Sequence, residues 1–119
     1  MTRLHLLPED LPDGRYALRI VTVRVATSLT GHPTLYLTVE VVAGPHAGYA
    51  LPCCYSLVPQ ARWKLRRLLH ATHVHGPPNE LDTADLLLRQ LAATVRRRPL
   101  AVGAAAYDID DETPVTPQP

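Results

Sequence analysis

The side chains best suited to chemistry in this chain are basic and aromatic ones. Guanidinium groups present a planar fork of donors that fits phosphate, and phenol rings stack on nucleobases. Basic residues cluster twice, in a predicted helix and at the end of a predicted strand. The pattern predicts a nucleic-acid-binding surface formed by Arg24, Tyr36, Tyr49, Tyr55, Arg62, Lys64, Arg66, Arg67, Arg96, Arg97 and Arg98.

Each of these assignments has a structural alternative. Tyr36 lies on the polar side of an alternating strand, where its ring either stacks on a base or packs with its hydroxyl at the surface. Tyr49 and Tyr55 share one side of the next strand, and they are core residues if that side faces inward. The basic helix is alternatively a solvated face. The three consecutive arginines are alternatively neutralised by acidic residues of the chain itself.

A metal site is a weaker interpretation of the sequence. His70, His73 and His75 supply three imidazoles, which is enough for zinc in principle, but no Cys-x-x-Cys pair accompanies them. We therefore expect exposed histidines near a helix end and no metal or other cofactor.

Catalysis is also the weaker alternative. Cys53 or Cys54 with a histidine, or Asp82 with Asp85, are the candidate groups for a small hydrolase. The two aspartates are better explained as carboxylates in the first turn of a short helix, where the helix dipole favours them. The chain has no glycine-rich phosphate loop and no nucleophile elbow. We expect a protein that is not an enzyme.

Charge is distributed unevenly along the chain. Its 12 basic residues all precede Tyr107, while four of its 11 acidic residues follow. These four are Asp108, Asp110, Asp111 and Glu112. A basic body with an acidic, proline-containing end predicts a polyanionic partner, with the acidic end competing for the same surface or recruiting replication or recombination proteins.

The elements that must position these residues follow from apolar periodicity. Strands are predicted at 15–28, 34–41, 49–56, 90–98 and 104–109, with a helix at 59–72. Three strands, a helix and two strands predict a mainly β fold, a five-stranded OB-like barrel with its helix between strands three and four. We expect residues 1–13 to be an irregular lead-in, 14–109 the barrel, and 110–119 a flexible acidic, proline-rich tail.

Two local features refine this barrel. The apolar side changes within the first strand, from Tyr16, Leu18 and Ile20 to Val21, Val23 and Val25. Such a switch predicts a β-bulge or a strong bend. Pro52 predicts an edge or bulged position for the third strand, because proline has no N–H for the ladder.

Several short motifs, each occurring once, follow one another along residues 9–110. They are Leu11-Pro-x-Gly14-x-Tyr16, the turn glycine Gly31, Leu35-x-Leu-x-Val-Glu-Val41, Gly44-Pro-x-x-Gly48, Trp63-x-Leu-x-x-Leu-Leu69, and Leu81-Asp82 followed by Leu86-Leu87. With these motifs the chain resembles a group of small phage and mobile-element proteins of unknown function, which look like OB-fold single-stranded DNA-binding proteins. Members of that group often carry a glycine where this chain has Leu88.

The resemblance implies single-stranded DNA as the ligand and an accessory role in phage or mobile-element replication or recombination. Binding is expected to be largely independent of sequence. The alternative is a protein-interaction adaptor or an oligomerising OB module that does not bind nucleic acid, and a homo-oligomer is compatible with either. The two cysteines are adjacent and unsuited to bonding each other, and no apolar run approaches the length of a signal or membrane segment, so a cytoplasmic location is expected.

Overall fold

The computed structural model describes residues 11–75, 82–99 and 105–115. Its strands and helix are, in chain order, β1 (Gly14–Thr27), β2 (Pro33–Val41), β3 (Ala50–Ser56), α1 (Arg62–Ala71), β4 (Gln90–Pro99) and β5 (Ala105–Thr113). Short 3-10 helices precede α1 at Pro59–Ala61 and β4 at Thr83–Leu86. The mainly β class and the predicted order of three strands, helix and two strands are confirmed.

The five strands form one antiparallel sheet in the order β3-β2-β1-β4-β5. The two end strands, β3 and β5, come into contact. No backbone ladder joins them within the described ranges, so the closed barrel expected from the sequence is corrected to an open sheet. Pro52 lies in β3, an end strand, as predicted.

β1 contains the predicted bulge. Ile20 lies opposite Val39 and Thr22 lies opposite Thr38, so Val21 is an extra residue on β1. The insertion reverses which residues face inward along the second half of the strand. Both halves of β1 therefore direct apolar side chains toward the core.

The core lies between the inner face of the sheet and α1. Buried members from the helix are Leu65, Leu68, Leu69 and Ala71, which recur at helical spacing. Leu11 is also buried, so the end of the lead-in packs into the core rather than lying outside it. In the described part of the chain, no helix is long and apolar enough to cross a membrane.

β5 continues beyond the predicted start of the tail. Asp110–Thr113 belong to this strand, and the Glu112 side chain is completely buried. A register shift against β4 lies between Asp110 and Thr113, and Asp111 there has a φ of +51°. The boundary at residue 110 is therefore corrected to after Thr113, because Arg67 and Tyr55 hold the acidic end of the strand. The prolines at 117 and 119 lie outside the described residues.

The connection into β4 uses a backbone conformation unusual for its residue. Asp82 accepts a 3.0 Å hydrogen bond from the Ala84 N–H and so caps the 3-10 helix. Leu88 then adopts a φ of +66°, in the left-handed region that glycine tolerates best. Its N–H donates a 2.7 Å bond to the Ile20 carbonyl at the bulge of β1.

Candidate nucleic-acid interface

One side of β1–β3 faces away from the core because its residues alternate with the buried ones. We call this side the outer face. Its central residues are Arg19, Thr22, Arg24, Tyr36, Thr38, Glu40, Pro52 and Cys54.

A row across the outer face brings together a cation and a ring that the sequence predicted. Arg24 lies opposite Tyr36, and Tyr36 lies opposite Cys54 on β3. The Arg24 Cζ is 4.8 Å from the centroid of the Tyr36 ring, a cation–π contact. Within the described ranges no carboxylate comes within ion-pair distance of Arg24. Its charge is therefore available to an anionic ligand.

The rest of the outer face is polar and nearly neutral. Arg19 and Glu40 form an ion pair with 2.8 Å between Nη2 and Oε1. The Thr22 hydroxyl accepts a 3.1 Å hydrogen bond from the Thr38 N–H. An anion approaching Arg24 therefore meets one carboxylate on this face, and that carboxylate is already paired.

Tyr55 is corrected from a stacking residue to a core residue. It is only 2% exposed, and its hydroxyl donates a 2.7 Å hydrogen bond to Glu112 Oε2. Burial, the neighbouring Cys53 and the Glu112 carboxylate raise the pKa of its phenol. The structure thus decides the orientation that the sequence left open, and no base reaches this ring.

Tyr49 also packs inward rather than on the outer face. It is half-buried against the core, with its ring edge-on to Tyr107 at a centroid distance of 6.2 Å. The two hydroxyls are 3.1 Å apart, and the Tyr107 oxygen also accepts the N–H of Leu11. Tyr49 therefore helps, through Tyr107, to hold Leu11, and we remove it from the predicted binding set.

Arg67 is engaged by the chain itself. Its Nη2 pairs with Asp110, and its Nε lies 2.9 Å from Glu112 Oε1, although the N–H does not point along that contact. Burial alone would lower the pKa of Arg67, but the Glu112 charge and the bonds to Asp110 outweigh it and raise the pKa. The predicted phosphate contact of Arg67 is corrected to an attachment of α1 to β5.

The pairing with Arg67 also affects Asp110. The Asp111 N–H and, against some desolvation, the Arg67 guanidinium hold the pKa of Asp110 below its ordinary value. Asp110 and Glu112 thus act as internal counter-ions within a strand.

α1 also carries an exposed ring that the sequence analysis did not select. Trp63 is 59% exposed, and the Arg67 Cζ is 5.1 Å from its ring centroid. Arg66 is exposed and Arg62 is half-buried. Helical spacing could have indicated Trp63 as a candidate. Trp63 and Arg66 lie three residues apart on a helix whose leucines face the core, so they share a helix face.

Lys64 differs from its neighbours on the helix. Its Nζ lies 5.5 Å from the centroid of the Tyr55 ring. This contact directs the ammonium toward β3 and away from the exposed Trp63 side of α1.

The arginines that end β4 lie beside the start of β1, whereas Arg24 lies near its end. Arg96 is opposite Asp108, and the Arg97 N–H donates a 2.7 Å bond to Asp13 Oδ1; the side chain of Arg98 lies outside the described part. Val95 pairs with Gly14, ten residues before Arg24 on β1. At about 3.3 Å per residue, at most about 33 Å of strand separates the two groups. A phosphate contact by Arg96, Arg97 or Arg98 stays a prediction.

The metal alternative has no cluster of ligands among the described residues, and one of the candidate nucleophiles is buried. No three histidine, cysteine or acidic side chains there lie close enough together to hold a metal ion, so His70, His73 and His75 form no such cluster. Burial, followed by the adjacent Cys54 and by Glu112, raises the pKa of the Cys53 thiol to about 12. Cys53 therefore stays protonated near neutral pH and is a poor nucleophile.

Comparison with known proteins adds no assignment. No family model matches the chain, and no curated protein has a significantly similar sequence. The resemblance to small phage and mobile-element proteins remains an expectation. Function is therefore inferred from the outer face and from α1.

Proposed function

We propose that this protein binds single-stranded nucleic acid through the outer face of β1–β3, with DNA as its main ligand. The observation that carries the proposal is the contact between Arg24 and Tyr36, an exposed cation over a ring on a face of little net charge. The order of strands and helix is that of an OB-like barrel without its β3–β5 ladder. In OB folds the face of strands two and three binds oligonucleotides.

The chemistry of the row suits an unpaired nucleotide. A base stacks on Tyr36, while the guanidinium of Arg24 leaves the ring to donate hydrogen bonds to the adjoining phosphate. The other groups on this face are mostly hydroxyls, a thiol and an ion pair, with no array of side chains suited to reading base edges. Binding is therefore largely independent of sequence.

Few described cations take part, so the affinity is modest and depends on salt. For single strands, the logarithm of the association constant falls by about 0.7 per phosphate contact for each unit of log salt. Titration of the full chain into fluorescently labelled oligo-dT, followed by fluorescence anisotropy at low and higher salt, tests this. We expect saturable binding that weakens with salt and is weaker for a duplex of equal length. Absence of binding at low salt, or binding unaffected by salt, overturns the proposal.

As to cellular role, we propose an accessory function in phage or mobile-element replication or recombination, in line with the resemblance of the sequence. Recruitment of partner proteins through the acidic end is not carried forward. Asp110 and Glu112 are already paired with Arg67 and so are poorly placed to act as a free acidic tail.

A protein-interaction module is the second candidate function. It is favoured by the hairpin between β1 and β2, where Leu29 is fully exposed and Val25 is 50% exposed. Sedimentation at rising protein concentration tests whether this hairpin mediates self-association. Association that Leu29→Ser abolishes supports this candidate, and a monomer at all concentrations contradicts self-association.

A further inference from the structure

We infer that α1 carries a second base-stacking position, formed by Trp63 on a helix that also presents Arg62 and Arg66, for a further nucleotide of the same single strand. The inference rests on the proposed function, because it extends the path of that ligand. The inference and the proposed function can be tested separately, because tryptophan emission reports on the position on α1.

The first observation is the exposure of a large ring. Trp63 is 59% exposed on a helix that buries three leucines on its other side. Arg67 covers part of the indole at 5.1 Å, yet the ring stays accessible. Asp110 and Glu112 on β5 hold Arg67 in place beside the indole. Arg67 therefore supports the Trp63 ring and does not itself bind the ligand.

The second observation is the charge around the ring. In the described part of the chain, neither Arg62 nor Arg66 has a carboxylate within ion-pair distance. The first turn of α1 contains no acidic residue. The two carboxylates that do reach the helix, Asp110 and Glu112, are taken up by Arg67. The exposed side of α1 is therefore uncompensated and cationic.

An exposed aromatic ring on a helix that also carries uncompensated arginines fits one chemistry best. The occupant must be anionic and must also offer a flat π-face, which a single strand does with its phosphates and unpaired bases. A duplex keeps its bases stacked on one another, and an acidic peptide would use the arginines without the ring.

The chain path limits the distance between this position and the outer face, which lie on opposite sides of the sheet. Trp63 is nine positions after Cys54, which lies in the row with Tyr36. A fully extended segment of that length spans at most about 32 Å. The Leu57 N–H donates a 3.0 Å bond to the Pro33 carbonyl, so the chain leaving β3 stays beside the start of β2. One OB fold commonly accommodates about 4–16 nucleotides, and a strand that contacts both rings has to pass around the β3 edge of the sheet.

The test uses the fact that Trp63 is the only tryptophan in the chain. Labelled oligo-dT is titrated with the full chain and followed by label anisotropy, and intrinsic tryptophan emission is recorded with unlabelled oligo-dT. We expect emission to be quenched along the same binding curve. Binding by anisotropy without a change in emission overturns the inference and leaves the proposed function standing. No binding by anisotropy overturns the proposed function and, with it, the inference.

Substitution gives an independent readout. Trp63→Ala should weaken binding by about 5-fold to about 150-fold, the usual range for loss of one stacked base. Leu87→Ala is the matched control, because Leu87 is also an exposed apolar residue but lies before β4. Equal affinities for the two variants contradict the inference. Folding of both variants is checked by circular dichroism.

Discussion

The hydroxyl of Tyr55 on β3 donates a 2.7 Å hydrogen bond to the buried carboxylate of Glu112 on β5. These are the two end strands of the sheet, so a side-chain contact stands where a closed barrel would have a backbone ladder. Arg67 approaches the same carboxylate from α1. The contact therefore joins three elements that are distant in sequence.

Tyr55→Phe should lower the free energy of unfolding by about 1–3 kcal/mol, because the buried Glu112 side chain loses a hydrogen-bond donor. Urea denaturation measures the loss. Tyr36→Phe is the control: Tyr36 is only half-buried, and a surface change of this kind stays within about 0.5 kcal/mol. Equal losses for the two variants would show that the Glu112 contact does not stabilise the fold.

Alkaline pH should destabilise the protein partly through Cys53. Burial and its neighbours raise the pKa of this thiol from 9.0 to about 12, so the unfolded chain releases the proton first. Its contribution is fully present below pH 9.0 and is lost as the pH rises toward 12. The slope approaches about 1.4 kcal/mol per pH unit.

Denaturation series at increasing pH test this prediction. Cys53→Ala should show a shallower decline above pH 9.0 than the unsubstituted chain. Some decline should remain, because Tyr55 also has a raised pKa and loses its stabilising effect as the pH passes the ordinary value of 10.0. Parallel declines with and without the thiol would refute the role of Cys53.

Leu88→Gly should stabilise the fold. At a φ of +66° the leucine pays a steric penalty of about 1–2 kcal/mol, and with 64% exposure its side chain contributes little burial. The greater freedom of glycine in the unfolded chain offsets part of the gain, leaving about 0.5–1 kcal/mol.

Leu87→Gly is the adjacent control for that substitution. Leu87 has an ordinary φ of −62° and is also exposed, so glycine there should be destabilising. Thermal unfolding of both variants measures the difference in sign. A melting temperature lowered equally by both would mean that the backbone at Leu88 carries no strain.

Arg24→Gln should reduce the salt dependence of oligo-dT binding. Loss of one phosphate contact lowers the slope against log salt by about 0.7. Arg89→Gln removes an exposed arginine whose Nε donates to the Asp85 carbonyl, away from the outer face, and should leave the slope unchanged. Identical slopes in the two variants would remove Arg24 from the binding surface.

Tyr36→Ala should weaken oligo-dT binding by about 1–3 kcal/mol, the usual cost of losing one stacked base, whereas Tyr36→Phe should bind nearly as well. The comparison separates stacking by the ring from hydrogen bonding by the hydroxyl. Anisotropy titrations at one low salt concentration are sufficient. If the phenylalanine variant is as weak as the alanine variant, the ring does not act as a stacking platform.

Local patterns were sufficient for much of the architecture. Alternation of apolar residues predicted the strands, the switch after Ile20 predicted the bulge at Val21, and Pro52 predicted an edge strand. Each signal depends on a few neighbouring residues, since backbone geometry sets which side chains share a face. The placement of Arg24 beside Tyr36 was not foreseen as a pair, because it depends on the register between two strands.

Contacts between residues distant in sequence decided the features that local patterns left open. Alternation showed that Tyr49 and Tyr55 share a side of the chain, but only packing showed that this side faces the core. Aspartate is disfavoured in strands, so 110–113 resembled a tail until Arg67 and Tyr55 supplied counter-charge and a donor.

The amino-acid sequence by itself determined the order of elements, the bulge and the helical face that is buried. Only the tertiary structure decided which cations are neutralised. Arg67 and Arg66 are neighbours on one helix, yet one meets two carboxylates on β5 and the other meets none among the described residues. Periodicity reports which side chains share a surface, whereas the charge of that surface depends on what the fold brings against it.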